Sequence, residues 1–447
     1  MTHMQDILNA IVDAGGSPLF VGGCVRDEFM GIESKDIDVE VYGLPADSLV
    51  AVLRKFGKVD EVGVSFGVIK LTTADDDFDF TLPRTDNKTG EGHKGFTVEV
   101  DHTLTPEEAA ARRDYTINSM AKDMDGTLVD PYKGRDDIHD KILRATSDAF
   151  GEDPLRVLRG FQFAGRFDMT VDRKTAGMCF DLLDEAHTIA VERIYGEVLK
   201  WALKSTVPSK GLYFLRDTGW SHLFSELHDL IDLPQDPVWH PEGDAYVHTA
   251  LVCDAARDIA VRDKLSDEDR LVLILAALCH DLGKAKTTAM IDGRWRSPGH
   301  AAEGADLTRS LLAKMGFGES IIKQVVPLVV EHMAHIGIEP SDKLVRRMAV
   351  RVQPSTMLQL CRLMEADHSG RPPLPAGRPE NVAKILVICG KLNVASSKPE
   401  PLVKGRHLVA EGLSPGPQFS VILDRCYQAQ LDGEIETLEQ GLALVFA

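Results

Sequence analysis

Phe20-Val21-Gly22-Gly23-Cys24-Val25-Arg26-Asp27, followed by Lys35-Asp36-Ile37-Asp38-Val39-Glu40-Val41, decides how the N-terminal part of this 447-residue chain is read. Two glycines between an apolar run and a helix-like segment let the backbone approach a phosphate, and the helix start offers N–H donors. Tight turns use the same pair, so Gly22 and Gly23 alone leave both uses open. In the second stretch, strand alternation puts Asp36, Asp38 and Glu40 on one face and Ile37, Val39 and Val41 on the other. Like charges on one strand face repel, and Asp is a poor strand former. A divalent cation compensates most simply: paired carboxylates hold two Mg²⁺ ions about 4 Å apart, activate a hydroxyl and clamp a triphosphate. An acidic, solvent-facing edge is the competing reading, which the upstream Gly-Gly and Arg26 disfavour. Asp77-Phe78-Asp79-Phe80-Thr81 alternates in the same way, offering Asp79 as a third carboxylate or else a surface strand. Residues 84–96 (RTDNKTGEGHKGF) are polar and Gly-rich, as in a mobile loop over a site.

Around this stretch, β-like runs at 19–22, 37–41, 68–72 and 78–82 and a helix-like run at 45–56 predict a small α/β or α+β unit. From about residue 141 the periodicity is helical. Prolines and a glycine interrupt it at 233–243 (LPQDPVWHPEG), and 370–379 (GRPPLPAGRP) reads as a stiff linker. Hydrophobic residues make up 44% and charged residues 27%, enough to bury a real core. Leu271–Leu278 is the longest apolar run, far short of the ~20 residues of a membrane helix. The N-terminus has no basic region preceding an apolar one and does not read as a signal peptide. Seven scattered cysteines read as reduced thiols of a cytoplasmic protein, not as a disulfide frame. The formal charge of -19 argues against a nucleic-acid partner.

Two further clusters carry chemistry. Asp153-Pro154 is a good helix start, with Asp153 as N-cap and Pro154 at the first helical position. Asp153, Arg156 and Arg159 then share one helix face, opposite Leu155, Leu158 and Phe161. On spacing alone a solvent-facing ion pair is one use of that face. Further on, the all-round apolar run 271–278 predicts a buried helix ending at His280-Asp281, with Gly283 as terminator. His248, His300, His332 and Asp367 flank it, and imidazoles with carboxylates at a buried helix end suit a divalent metal.

Gly22-Gly23-x-Val25-Arg26-Asp27 with Asp36-x-Asp38 resembles the polymerase-β-like nucleotidyltransferases, specifically the class II CCA-adding enzymes and bacterial poly(A) polymerases. Arg112-Arg113-Asp114-Tyr115-Thr116-Ile117-Asn118-Ser119 looks like that group's RRDxTINA signature, with Ser119 for the usual Ala. Glu152-Asp153-x-x-Arg156-x-x-Arg159 matches EDxxRxxR, and Glu192-Arg193-Ile194 with Glu197 resembles ERxxxE. The resemblance implies catalytic carboxylates Asp36, Asp38 and Asp79. It also implies phosphate and sugar contacts from Arg26, Arg113 and Arg159, ribose contacts from Asp114 and Asn118, and base selection by Asp153 and Arg156. Some relatives carry an Arg where this chain has Gln162, so no phosphate role is carried to that position. His248, His280, Asp281 and Asp367 resemble the H…HD…D pattern of HD-domain phosphohydrolases, with His300 and His332 completing a second metal position in some of them and His335 as a spare.

The expected fold is α+β. A nucleotidyltransferase head with a mixed sheet (1–140) precedes a mostly helical neck and body (141–235), a helical HD domain (240–370) and a helical tail (380–447). The implied activity is template-independent addition of CCA to tRNA 3′ ends from CTP and ATP with Mg²⁺. The HD site, with a divalent metal the sequence leaves unidentified, implies a 2′,3′-cyclic phosphodiesterase or phosphatase. An A-adding or CC-adding enzyme, a poly(A) polymerase, or a phosphohydrolase with a nucleotide-binding head are the alternatives. The charge objection then softens, because the acid is concentrated in the head: nine basic against 21 acidic residues in 1–110, but twelve against eleven in 141–220.

Overall fold

β-Branched and aromatic residues alternating with acids and turns fold the N-terminal residues into a mixed seven-stranded sheet. A computed structural model describes residues 2–34, 37–60, 67–74, 77–88 and 96–446. Contacts divide the chain into two compact units, Met1–Trp201 with Lys210–Leu223, and Ala202–Ser209 with Phe224–Ala447.

In the first unit the strands are β1 (Ser17–Val21), β2 (Asp38–Tyr42), β3 (Lys58–Asp60), β4 (Val68–Thr72), β5 (Asp77–Thr81), β6 (Arg84–Lys88), β7 (Phe96–Val100), β8 (Ala121–Lys122) and β9 (Leu128–Val129). The sheet order is β3-β4-β5-β2-β1-β8-β9, with β2 and β5 parallel and the other neighbours antiparallel. Helices α1 (Thr2–Asp13) and α3 (Ala46–Leu53) cover one face, and α2 (Gly23–Phe29) leaves the end of β1. Ile7, Leu8 and Ile11 meet Leu49, Leu53, Val39, Val41, Ile69, Leu71 and Phe80 in one buried cluster. Each such side chain contributes roughly 1.5–3 kcal/mol relative to exposure. On the opposite face Leu19, Val21, Tyr42, Ala109 and Ala121 form a smaller cluster, and alternation places the acids of β2 and β5 on that side.

Helices α4 (Pro106–Ala111), α5 (Gly134–Asp140), α6 (Leu155–Phe167), α7 (Arg173–Asp181), α8 (Val191–Lys204) and α9 (Pro208–Asp217) follow, with a short parallel pair β10 (Ile142–Leu143) and β11 (Thr170–Val171). The remaining helices are α10 (Ser225–His228), α11 (Ala245–Arg262), α12 (Asp267–Cys279), α13 (Lys284–Thr287), α14 (His300–Lys314), α15 (Glu319–Glu331), α16 (Asp342–Arg351), α17 (Met357–Ser369), α18 (Glu380–Leu392), α19 (Gly405–Ala410), α20 (Pro417–Asp432) and α21 (Leu438–Phe446). Strands β12 (Ala289–Ile291) and β13 (Arg294–Arg296) make a small hairpin. Helix α12 is the centre of the second unit: Leu271 through Cys279 are all buried, and α11, α15 and α17 pack around it. Its apolar circumference, visible in the sequence, follows from having neighbours on every side.

Three local expectations are revised. Residues 84–96 are not simply loop: 84–88 and 96–100 pair as the antiparallel strands β6 and β7, and 89–95 lie outside the described residues. Thr97, Val98 and Val100 favour strand geometry, which the polar count obscured. The 370–379 stretch is packed rather than spanning a gap. A Cβ on Gly370 would lie 2.5 Å from Val252 Cγ2, and Arg378 pairs with the buried Glu365 at 2.8 Å. Gly283 ends no helix in the left-handed conformation; it is right-handed at φ -65°. It is required because α14 begins against it, where an added Cβ would meet His300 O at 2.0 Å.

Candidate active sites

The first site lies where β1 hands over to α2. Gly22 has φ +70°, and a Cβ there would approach Arg113 Nη1 to 2.9 Å, so both conformation and space call for glycine. Beside it, Asp38 and Asp79 are register partners on the parallel strands β2 and β5; both are exposed. Neighbouring strands run about 4.8 Å apart, so two like charges stand side by side, a donor set suited to a hard cation. Asp36 lies outside the described residues. Lys70, opposite Asp79 on β4, pairs with Asp77 at 2.9 Å.

Glu40 departs from the open acidic face expected for it. It is 1% exposed, accepts from Tyr42 OH at 2.6 Å and from Arg113 Nη2 at 3.2 Å, and has Arg112 3.8 Å away. Burial, then the Glu40 charge, push the Tyr42 phenol up. Glu40 therefore sets the position of Arg113, whose Nη1 donates to Asn118 O at 3.3 Å.

Arg26 turns inward. Its Nε and Nη2 donate to Asp27 Oδ1 at 2.8 and 2.6 Å, and Nη1 donates to Asn118 Oδ1 at 2.6 Å. Its guanidinium carbon lies 4.6 Å from the Phe167 ring centroid and 5.6 Å from that of Phe163. It ties α2 and the Thr116–Asn118 turn to α6. Asp114 is buried and accepts at Oδ1 from Tyr115 N (2.8 Å) and Asn118 Nδ2 (2.9 Å), and at Oδ2 from Arg159 Nε (2.6 Å). Burial pushes its carboxyl up, but the Arg159 charge and these bonds hold it below the usual range. The RRDxTIN residues and α6 are thus one network, with Arg159 at its outer edge.

At the other end of α6, Asp153 Oδ1 caps Leu155 N at 3.0 Å and Oδ2 accepts from Arg193 Nη2 at 3.0 Å. Arg156 Nη1 donates to Ala149 O at 2.7 Å. The acid caps as expected, although the helix begins at Leu155 with Pro154 in the capping position. Gln162 is buried, and its Nε2 has no hydrogen-bond partner among the described residues.

The second site assembles helix ends. His248 sits on α11, His280 and Asp281 follow α12, His300 opens α14, His332 closes α15 and Asp367 lies on α17. The Nδ1 atoms of His280, His300 and His332 face the carbonyls of Ala277, Ser297 and Val329 at 2.7, 2.8 and 2.6 Å. A proton on each Nδ1 leaves Nε2 as the free donor to a metal. The Nε2 atoms converge: His248 on His280 at 3.3 Å and His300 on His332 at 3.2 Å. Asp281 Oδ2 lies 3.2 Å from His280 Nε2 and Oδ1 lies 3.3 Å from His300 Nε2. Asp367 Oδ1 lies 3.1 Å from His248 Nε2. Burial and the neighbouring His280 and His300 pull the His332 imidazole down to about 3, keeping it neutral. Among the described residues three groups of ligands result: His248-His280-Asp367 and Asp281-His300-His332 face one another, and His240-Glu242-His248 shares His248 with the first. Lone pairs from facing imidazoles repel unless a cation or proton lies between them, so this donor set fits a pair of divalent metals.

Pattern reading named some of these groups without a role and missed others. Glu40, on the acidic strand face, holds Arg113, and Asp27, in the Gly-Gly motif, holds Arg26. Lys284, next to Gly283, pairs with Asp281 at 2.6 Å. His335, the spare imidazole of the HD pattern, is buried, its Nδ1 facing His332 O at 3.1 Å. Glu242 and His240 lie in a stretch read only as a helix break.

Residues 19–144 match the Poly A polymerase head domain and residues 245–385 the HD domain. The multifunctional CCA protein of Azoarcus sp. (strain BH72) is 34% identical over 372 residues, covering 81% of this chain and 85% of that protein. The multifunctional CCA protein of Methylobacillus flagellatus is 35% identical over 362 residues, covering 78% and 83%. The fold resembles that of the Bacillus stearothermophilus CCA-adding enzyme in complex with CTP, with a TM-score of 0.61 at 21% identity over 100% of this chain and 96% of that one. A similar likeness, TM-score 0.61 at 16% identity over 98% and 93%, links it to the Thermotoga maritima CCA-adding enzyme complexed with tRNA. Matched through its head, its HD centre and most of the length of both relatives, the chain belongs to the family of multifunctional CCA proteins.

Proposed function

We propose that the first unit builds or repairs the 3′ CCA end of tRNA from CTP and ATP, and that the HD centre hydrolyses a nucleotide phosphoester. The observation that carries the first part is the register pairing of Asp38 with Asp79 beside the Gly22 turn. Asp36, Asp38 and Asp79 would hold Mg²⁺, which when bound polarises phosphate oxygens and lowers the pKa of a hydroxyl. The chain's own residues then position the reactants. Gly22 and Gly23 bring backbone close to the triphosphate, and Arg113 and Arg159, oriented by Glu40 and Asp114, carry positive charge to its oxygens and sugar. Asp114 and Asn118 face the ribose, while Arg26, bonded inside, acts through Asn118. Asp153 and Arg156 read the base edge of C or A. The tRNA 3′ oxygen forms a bond to the α-phosphorus as the bond to pyrophosphate breaks.

For the second part, a cavity of about 700 Å³ opens onto Asp281, His300 and Asp367, with Trp239, Trp295, Arg296 and Arg371 at its walls. Its volume suits a nucleotide. Arg296 and Arg371 have no carboxylate partner among the described residues, leaving charge for a phosphate. This supports a 2′,3′-cyclic phosphodiesterase or phosphatase reading. The cysteines are all unpaired, in keeping with a reducing, cytoplasmic setting, and no helix among the described residues is long and apolar enough to cross a membrane.

Incubation with tRNA lacking its CCA end, Mg²⁺, and CTP and ATP separately and together tests the first activity. Incorporation of both C and A supports it, A only after a supplied CC means an A-adding enzyme, and no incorporation from any mixture rejects it. Asp38→Ala should lower addition by about 10²–10³-fold, the several kcal/mol that metal assistance supplies, and spare hydrolysis. His280→Ala should do the reverse. Loss of both activities from either change would reject two independent sites.

A further inference from the structure

The stretch Leu233–Gly243 interrupts the helical pattern, yet its side chains serve the HD centre. Gln235 Oε1 accepts from Lys284 Nζ at 2.7 Å, and Asp236 pairs with Arg294 at 2.6 Å. Glu242 reaches behind His248. Its Oε1 lies 2.7 Å from His248 Nδ1 and 2.9 Å from His240 Nδ1, and its side chain is 1% exposed. The approach to His248 is off the ring N–H axis, and neither His248 Nδ1 nor Glu242 Oε2 has a formed hydrogen bond among the described residues. The ring's other nitrogen, Nε2, faces Asp367 and His280. In His280, His300 and His332 the outer nitrogen faces a backbone carbonyl. His248 alone of the four turns its outer nitrogen to a charged group.

We infer that Glu242 is a positioning residue of the HD centre: its buried carboxylate fixes the His248 ring with Nδ1–H outward, Nε2 inward, and makes that nitrogen a stronger metal donor. The inference rests on the reading of His248 as a metal ligand. A carboxylate behind an imidazole orients the ring and raises its basicity, and losing such a partner weakens metal binding about 10–100-fold. A Gln at 242 still offers an acceptor oxygen without the charge.

The test uses the full chain stripped of metal and titrated with Co²⁺ against a chromophoric chelator. Glu242→Ala should bind one Co²⁺ about 10–100-fold more weakly than wild type, with Glu242→Gln between them. CCA addition by both variants should be unchanged, which also establishes that the chain is folded. Should the alanine variant fail to fold, the nearly isosteric Gln variant decides alone. Co²⁺ affinities within twofold of wild type would overturn the inference. So would loss of one whole Co²⁺ equivalent with the remaining affinity intact, since Glu242, His240 and His248 would then hold an ion of their own. If wild type takes up no Co²⁺, the metal reading of the HD centre fails, and this inference with it.

Discussion

Gly160→Ala separates helix propensity from packing, because the two forecast opposite signs. Gly160 lies inside α6, where propensity alone makes alanine better by about 1 kcal/mol. An added Cβ would stand 2.0 Å from Tyr115 OH and 2.5 Å from Phe214 Cζ. Neither ring can yield easily. Tyr115 is 0% exposed, packs edge-on against Phe150 and Phe163, and its hydroxyl donates to Arg156 O at 3.0 Å. Overpacking costs about 1–3 kcal/mol, and a displaced, unpaired hydroxyl a further ~1–3 kcal/mol. Set against the propensity gain, the net loss is about 3 kcal/mol, or roughly 6–12 °C in the midpoint for a unit of this size. Because Tyr115 adjoins Asp114 and α6 carries Arg159, the nucleotide KM should rise as well. Thermal unfolding and CTP incorporation kinetics measure both. Gly177→Ala on α7 is the internal control: nothing lies within 4 Å of its added Cβ, and it should stabilise by up to about 1 kcal/mol. A midpoint for Gly160→Ala at or above wild type would refute the packing argument.

Three further outcomes are expected. Arg193→Ala removes the partner of Asp153 Oδ2; losing a charged hydrogen bond of about 1.5–3 kcal/mol should cut discrimination of CTP and ATP over UTP and GTP by roughly 10–100-fold, read from single-nucleotide incorporation. Asp114 has a depressed carboxyl pKa because Arg159 and its hydrogen bonds outweigh burial. Its stabilisation is therefore present above the unfolded value of about 3.9 and lost as pH falls through the lower folded value. Asp114→Asn should thus be less stable than wild type by about 1.5–3 kcal/mol at pH 7, a gap that denaturant titrations should find closing below about pH 4. Gly283→Ala drives a Cβ against His300 O at 2.0 Å and Gly304 N at 2.7 Å, backbone atoms that cannot move aside singly. It should abolish hydrolysis and cost about 1–3 kcal/mol or more of stability, with CCA addition retained when both activities are assayed on one preparation.

The sequence by itself determined the mixed head followed by helices, the Gly22 turn, the acidic strands and the order of the motifs. These are local facts: glycine permits a positive φ, alternation sorts the faces of a strand, and an apolar run such as Leu271–Leu278 must be buried all round. What acts across the fold was not legible there. Alternation put Glu40 on the acidic face beside Asp38, but only the packing of Arg112, Arg113 and Tyr42 around it made it a buried anchor. Arg26 reads as a free cation until Asp27, Asn118 and the rings of α6 enclose it. Gly160 looks incidental in sequence and Gly283 reads only as a helix terminator, because what forbids a side chain at each is a ring or a carbonyl elsewhere along the chain. Glu242 carries no motif at all, and its place behind His248 exists only because a proline-broken segment folds back over the end of α11. Residue chemistry and periodicity are written locally, whereas the partner that buries, orients or charges a side chain is chosen by tertiary packing.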